Sequence, residues 1–166
     1  MRVIHGLFIV STLLFVTGIG FVIAGARTRR EAPSAASAAP AGPELVPVAS
    51  VRQLMRGIVV PAARMVFASV GSIVTAQGIE EIAPKTDEEW EDVATNAASL
   101  VETGNLMLMN GRAIDREGWE KQCRALIDAS KLVLNAASAR NSQGVFDASA
   151  AIYDSCNGCH QTYMRQ

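Results

Sequence analysis

The sequence predicts an all-α protein: an antiparallel four-helix bundle, preceded by an N-terminal transmembrane or signal helix and a Pro/Ala-rich tether. Four stretches carry apolar residues at three- and four-residue steps, the spacing of an amphipathic helix. Alanine is abundant and aromatic residues make up only 5% of the chain, a composition that suits close-packed helices. No segment shows the alternation of a half-buried strand. Connections of about four to ten residues between such helices favour an up-and-down bundle.

The N-terminal segment, residues 1–30, reads MRVIHGLFIVSTLLFVTGIGFVIAGARTRR. Its apolar run from Val3 to Ala26 is longer than the core of a signal peptide and matches the roughly 20 residues needed to span a bilayer. The AGA at its end could serve as a signal cleavage site, so an anchor and a cleaved signal both stay open. The arginines that follow at once are a poor start for a mature chain and favour the anchor.

A tether is expected over residues 31–47, EAPSAASAAPAGPELVP, which holds four of the six prolines among small residues. No apolar face can be drawn through it, so it is predicted to be an extended, semi-rigid linker. The folded domain is then expected over residues 48–166.

The charge distribution argues against nucleic acid as a partner. The formal net charge is −1, but four of the fifteen basic residues lie in the first 30 positions. From residue 31 onward, eleven basic residues therefore face all sixteen acidic ones. An acidic domain of this kind lacks the positive surface that phosphate binding requires.

The first helical stretch contains a proline inside its periodic pattern. Ser50 is its candidate N-cap. Pro61 would lose one backbone hydrogen bond and crowd the carbonyl of Gly57, so a kink or break is expected near residues 57–60. The predicted core stripe of this stretch is Val51, Met55, Ile58, Ala62, Met65, Ser69 and Ile73.

The other three stretches have recognisable starts. Thr86 and Glu89 stand at the spacing of a capping box, and Asp115 and Asn141 are candidate N-caps of the third and fourth helices. The predicted stripes are Trp90, Val93, Ala97, Leu100, Gly104 and Met107; then Trp119, Cys123, Leu126, Ala129, Val133 and Ala136; then Val145, Ser149, Ile152, Cys156, Cys159 and Tyr163.

The C-terminal segment YDSCNGCHQTYMRQ carries the chemistry. Cys156, Cys159 and His160 have the C-x-x-C-H spacing that attaches a c-type haem, in which each thiol adds to a haem vinyl group and the imidazole binds iron. On a helix all three share one face. A structural zinc site would need four ligands, and the only other cysteine or histidine residues are Cys123 and His5, the latter in the apolar N-terminal run. A C-x-x-C thiol redox pair usually follows a strand, and no strand pattern precedes it.

This combination resembles the cytochrome c prime family of four-helix-bundle c-type cytochromes, over about residues 48–166. The resemblance is most specific at YDSCNGCHQTY and looser at WEKQCRALIDASKLVLNAASARN and LMRGIVVPAARMVF. It implies one covalently bound haem c, with Cys156 and Cys159 as the attachment thiols and His160 as the proximal iron ligand. Members usually carry Lys or Arg four residues after the histidine, where this chain has Met164.

The sixth iron ligand separates two functions within this family. Members with a methionine on the first helix carry electrons, whereas those with an apolar residue there leave iron open to small gases. Met55 occupies a position similar to that methionine, although methionine on an apolar stripe is also a common core residue. The prediction is therefore a non-enzymatic carrier of single electrons; the alternative is a five-coordinate cytochrome that binds NO or CO. No distal His or Arg is placed convincingly for a haem enzyme such as a peroxidase.

The expected location and partners follow from the haem. Since haem c is generally attached outside the bacterial inner membrane, the domain is expected in the periplasm, tethered to that membrane, although the arginines after the apolar run would by the positive-inside rule favour the opposite orientation. Redox proteins are the expected partners, no nucleic acid is expected, and a homodimer stays open.

The acidic run DEEWED is read as a solvated helix start, or as a docking patch for a basic partner. Cys123, Met65, Met107 and Met109 are expected to pack in the core, with Cys123 a free thiol, and Tyr153 and Tyr163 to pack beside the haem.

Overall fold

The computed structural model describes Gly6, Phe15 and residues 45–164. Of the two units into which the chain divides, Met1–Pro43 and Glu44–Gln166, the fold below is that of the second. It is mostly helical, with one small two-stranded sheet. Its elements are α1 (Val51–Leu54), a π-helix (Met55–Val59), α2 (Val60–Ala68), β1 (Gly71–Thr75), β2 (Gly78–Ile82), α3 (Asp87–Met107), α4 (Glu117–Ser138) and α5 (Ser142–Tyr163). The continuous segment Val51–Ala68 is called the first helical stretch.

The predicted membrane anchor or signal lies outside the described residues, apart from Gly6 and Phe15, and so does most of the predicted tether. Among the residues that the structure describes, no helix is both long enough and apolar enough to cross a bilayer.

The all-α prediction was wrong at one place, where a β-hairpin joins α2 to α3. β1 pairs with β2 in antiparallel register from Gly71 opposite Ile82 to Thr75 opposite Gly78. Gly71 and Gly78 adopt positive φ angles of 153° and 134°, which side chains disfavour, and the β-branched run between them suits a strand. The first helical stretch therefore ends at Ala68, and Ile73, which was assigned to its stripe, lies in β1.

The predicted core stripe of the first helical stretch was wrong in register. Met65 is 50% exposed, contrary to its predicted core role, and Met55 and Ile58 are only half-buried. Near residues 57–60, where a kink or break was expected, the chain forms the π-helix Met55–Val59, and the backbone N–H of Val60 bonds to the carbonyl of Met55. The residues of this stretch that are buried are Leu54, Val59, Ala62, Ala63 and Val66.

The stripes of the three long helices were predicted correctly in nearly every position. Most members of these stripes are buried, and the half-buried ones are Trp90, Ala136, Cys156, Cys159 and Tyr163. Caps account for the helix starts: Ser50 and Thr86 each form a capping box, and the side chain of Asn141 accepts from the N–H of Gly144. Asp115 precedes the N-cap residue Arg116, but its carboxylate still accepts the N–H of Trp119 at 2.9 Å.

Neighbouring helices run antiparallel. Trp119 at the start of α4 donates from its indole to the carbonyl of Met107 at the end of α3, at 2.9 Å. At the opposite end, Arg140 after α4 pairs with Asp87 at the start of α3, at 2.9 Å. α5 returns along α4, so Tyr163 at its end packs on Trp119 with ring centroids 5.1 Å apart.

The first helical stretch packs against α3 and borders α5. The residue before its N-cap, Ala49, accepts hydrogen bonds from Arg112 in the loop after α3, at 3.2 and 3.1 Å. At its other end, Phe67 shares a groove with Phe146 and Tyr153 of α5. The stretch is therefore antiparallel to both helices, and its N-terminal end lies at the same end of the fold as the C-terminus of α5.

Candidate functional site

The C-x-x-C-H residues lie on the last two turns of α5. Cys156 and Cys159 are half-buried and carry free thiols, and His160 is exposed. Cys156 packs against the hydrophobic core, as the predicted coincidence of the core face with the haem face requires. Since α5 is helical throughout, the three side chains project from one face.

The thiols lie in an environment that keeps them protonated. Burial raises the pKa of Cys156, and burial followed by the neighbouring Cys156 raises that of Cys159. Across from them, burial raises the pKa of Cys123 on α4 to about 11, with a further contribution from Cys159. Reactive redox cysteines have the opposite property, a lowered pKa, so this environment argues against a C-x-x-C redox site. Within the described residues, no group of three or more His, Cys, Asp or Glu side chains is arranged to hold a metal ion.

An apolar groove of about 270 Å³ lies between α5 and the end of the first helical stretch. Phe67 and Val70 line one wall and Phe146, Ala150 and Tyr153 the other. Phe146, Tyr153 and His160 follow one another at seven-residue intervals, so they share one side of α5. The groove thus opens along the side of α5 that leads to His160, and its aromatic rings are 38% to 63% exposed.

Met55 is half-buried and packs at the edge of the core. Leu54 and Val66 both point into the core, at 5% and 0% exposure. Phe67 follows Val66 and lines the groove beside α5. Because Met55 follows Leu54 in the same way, the helical rotation carries it to the same side.

Met55 and His160 also lie at similar heights in the fold. Phe67 and Ala150 line the same groove. From there, Met55 is twelve residues back along one helix and His160 ten residues on along its antiparallel neighbour, or about 18 and 15 Å at the α-helical rise. By these spacings, Met55 and His160 lie toward the same end of the domain.

A cluster of Tyr163, Trp119 and Asp115 closes this end, and the sequence did not reveal it. The Tyr163 ring meets Trp119 edge-on at 68°, and its hydroxyl donates to Oδ2 of Asp115 at 2.6 Å. Tyr163 was expected beside the haem, and Tyr153, which is 63% exposed, makes no comparable contact. Asp115 was recognised only as a cap, because its second oxygen meets a residue far along the chain.

The acidic run at the start of α3 lies at the opposite end of the domain. Asp87 pairs with Arg140, which stands just before α5. His160 is then about 27 Å further along α5. The position of Asp87, Glu88 and Glu89 in the first turn of α3 favours their interpretation as a solvated helix start. In agreement, Glu89 accepts the N–H of Thr86 at 3.0 Å in the capping box.

The residues of this site fit a covalently bound haem. Two half-buried free thiols and an exposed imidazole share one helical face, and an apolar groove lined by Phe146 and Tyr153 ends about one turn before Cys156. A thioether stands at the same level on the neighbouring helix.

No family model, curated protein or solved structure matches this chain in comparisons with known proteins.

Proposed function

We propose that residues 48–166 form an antiparallel four-helix bundle that binds one haem c and carries single electrons in the bacterial periplasm. In this proposal Cys156 and Cys159 hold the macrocycle through two thioether bonds, and His160 is the proximal iron ligand. The observation that carries it is the single face of α5 that holds the half-buried Cys156 and Cys159 and the exposed His160, with an apolar groove that ends about one turn before Cys156.

The packing of the helices supports the bundle. The first helical stretch, α3, α4 and α5 each run antiparallel to their neighbours and share one core of mainly aliphatic side chains. The first helical stretch contacts α3 more closely than α5. The weaker contact leaves the groove on the side where a haem would be accommodated.

The chain's residues account for electron transfer rather than catalysis. Bound haem would supply a one-electron Fe(III)/Fe(II) couple. His160 is exposed and Met55 is half-buried on the first helical stretch. In this proposal the His160 ring nitrogen and the Met55 thioether would both bind the iron. A soft thioether ligand stabilises the ferrous state and raises the reduction potential. The aliphatic core against which Cys156 packs would keep water away from this attachment thiol.

A five-coordinate gas-binding cytochrome is the second candidate function. It is favoured by one observation: Met55 packs against the core cluster, as a methionine that merely fills space would. The two functions differ at the sixth iron position. If Met55 is the ligand, Met55→Ala should change the ferric iron from low-spin to high-spin and speed CO binding to the ferrous protein. A wild-type protein that is already high-spin, and unchanged by Met55→Ala, would support gas binding instead.

Haem retention tests the attachment residues directly. After denaturation and acid–acetone extraction, haem should remain with the wild-type polypeptide, while Cys156→Ala and Cys159→Ala should each weaken retention. Cys123→Ala is the matched control, because this buried thiol lies on α4 outside the motif. Extraction of the haem from the wild type would contradict covalent attachment.

We also expect the periplasmic domain to be tethered to the inner membrane by the apolar run from Val3 to Ala26. Cell fractionation should then find the intact protein in the membrane fraction. A soluble mature protein that begins after Ala26 would show that the segment is a cleaved signal.

A further inference from the structure

The π-helix Met55–Val59 begins at the proposed distal ligand. Within it, the N–H of Val60 bonds to the carbonyl of Met55, five residues back. The two core residues that flank it, Leu54 and Val59, are also five positions apart, at 5% and 4% exposure. An α-helix would instead place residues three or four positions apart on one face.

Pro61 supplies a local cause for this extra residue. In an α-helix the N–H of residue 61 would bond to the carbonyl of Gly57, but proline has no N–H and its ring crowds that carbonyl. A π turn just before proline avoids this arrangement. Gly57 stands in open space, where an added Cβ would meet nothing within 4 Å, so no packing contact at Gly57 itself imposes the π turn.

The π turn determines whether Leu54 or Met55 enters the core. In an uninterrupted α-helix, Met55 would lie one turn before Val59 and on the same face. Compared with the observed structure, the side chains before the π turn would be rotated about the helix axis by about 100°. Met55 would then occupy the core position and Leu54 would lie at its edge. Leu and Met are similar in volume, so the core would accept either one.

We propose that Pro61 is a positioning residue: by enforcing the π turn, it keeps Leu54 in the core and leaves the Met55 thioether on the α5 side, free to bind iron. This inference rests on the proposed role of Met55 as the distal ligand. Pro61 is exposed, and it lies six residues after Met55. It acts only through the rotation of the segment before it.

The test is Pro61→Ala in the haem-loaded protein, with Val60→Ala as the control. Val60 is 42% exposed and adjacent, and its substitution keeps the proline and the backbone N–H that bonds to Met55. Pro61→Ala restores the missing donor, so amide hydrogen exchange should show a protected N–H at residue 61. The ferric protein should gain high-spin iron and its potential should fall.

Carbon monoxide binding gives the expected size of the effect. The apparent affinity for CO is proportional to the fraction of protein in which the iron is open. Displacing Met55 increases that fraction, so the apparent CO affinity should rise about tenfold or more. In a Met55→Ala background, Pro61→Ala should add nothing, because the residue on which it acts is gone.

The outcomes separate this inference from the proposed function. If Met55→Ala opens the iron but Pro61→Ala leaves spin state, potential and CO affinity at their wild-type values, the positioning role is wrong and the electron-carrier proposal stands. If Met55→Ala itself changes none of these properties, Met55 is not the ligand, and both fail. An equal response to Val60→Ala and Pro61→Ala would also overturn the role of Pro61.

Discussion

The hydroxyl of Tyr163 donates a hydrogen bond to Oδ2 of Asp115 at 2.6 Å, across a sequence separation of 48 residues. Asp115 also accepts the N–H of Trp119 at the start of α4, and Tyr163 packs its ring on the same tryptophan. The last turn of α5 is thus fixed to the first turn of α4. Because His160 is three residues before Tyr163, this contact also determines how firmly the proposed proximal ligand is held.

Tyr163→Phe should lower the unfolding temperature near pH 7, with a pH dependence set by both partners. The hydrogen bond holds the pKa of Asp115 below its usual 3.8 and raises that of Tyr163 to about 12. The Asp115 carboxylate contributes to folding stability above pH 3.8, and this contribution is lost as pH falls through its lowered pKa. The Tyr163 phenol contributes to folding stability below pH 10, and this contribution is lost as pH rises toward 12. Thermal unfolding from acid to alkaline pH checks this window.

Tyr153→Phe is the control for that series, since Tyr153 is 63% exposed and its hydroxyl has no partner among the described residues. It should leave the unfolding temperature unchanged at every pH. Equal effects of the two substitutions would show that the hydrogen bond with Asp115 does not stabilise α5.

Gly104→Ala should destabilise the contact between α3 and α4. An added Cβ at Gly104 would overlap Cγ1 of Ile127 and come within 3.5 Å of the Cys123 carbonyl. Overpacking of this kind costs about 1–3 kcal/mol, more than the helix propensity that alanine would gain. Urea unfolding measures the difference. Gly57→Ala, where the added methyl meets nothing, should not destabilise the protein, and similar losses at both sites would refute the close approach.

Arg112→Lys should weaken the junction between the start of the first helical stretch and the loop after α3. Arg112 donates from Nε and Nη2 to the carbonyl of Ala49, and from Nη1 to that of Leu106 at 2.6 Å. Lysine cannot reproduce this forked geometry. Each hydrogen bond lost from a charged group lowers the free energy of unfolding by up to about 3 kcal/mol. We expect a lower urea midpoint, with exposed Arg116→Lys as the control. An unchanged midpoint would show that the junction contributes no stability.

The sequence was informative where local chemistry and helical period agreed. The boxes at Ser50 and Thr86, the cap at Asn141 and the stripes of the three long helices follow from contacts within one turn. The position of Cys156, Cys159 and His160 on a single helical face followed from the same periodicity.

The first helical stretch could not be predicted correctly, because its period changes. A stripe through Met55, Ala62 and Met65 assumes 3.6 residues per turn, whereas the π-helix inserts one more. Pro61 indicated a disturbance but not its form. A kink, a break and a π turn each relieve the contact with the Gly57 carbonyl, which proline cannot hydrogen-bond. The hairpin could not be predicted from alternation, because β2 is exposed throughout and β1 is exposed at its three central residues, so neither strand has a buried face.

The cluster at the end of α5 depended on tertiary contacts. Asp115 could be recognised as a cap from its place before α4, but its bond to Tyr163 required the antiparallel return of α5. The position of Met55 along the fold relative to His160 also could not be predicted, because it depends on how the first helical stretch aligns with α5.

The intact mass of the denatured protein, expressed in a host that attaches haem c, tests the central claim most directly. We predict the mass of the polypeptide plus one haem, with the added mass located by peptide mapping on the segment that contains Cys156 and Cys159 and with Cys123 still a free thiol. A polypeptide without added mass, all three of its thiols open to alkylation, would contradict the account.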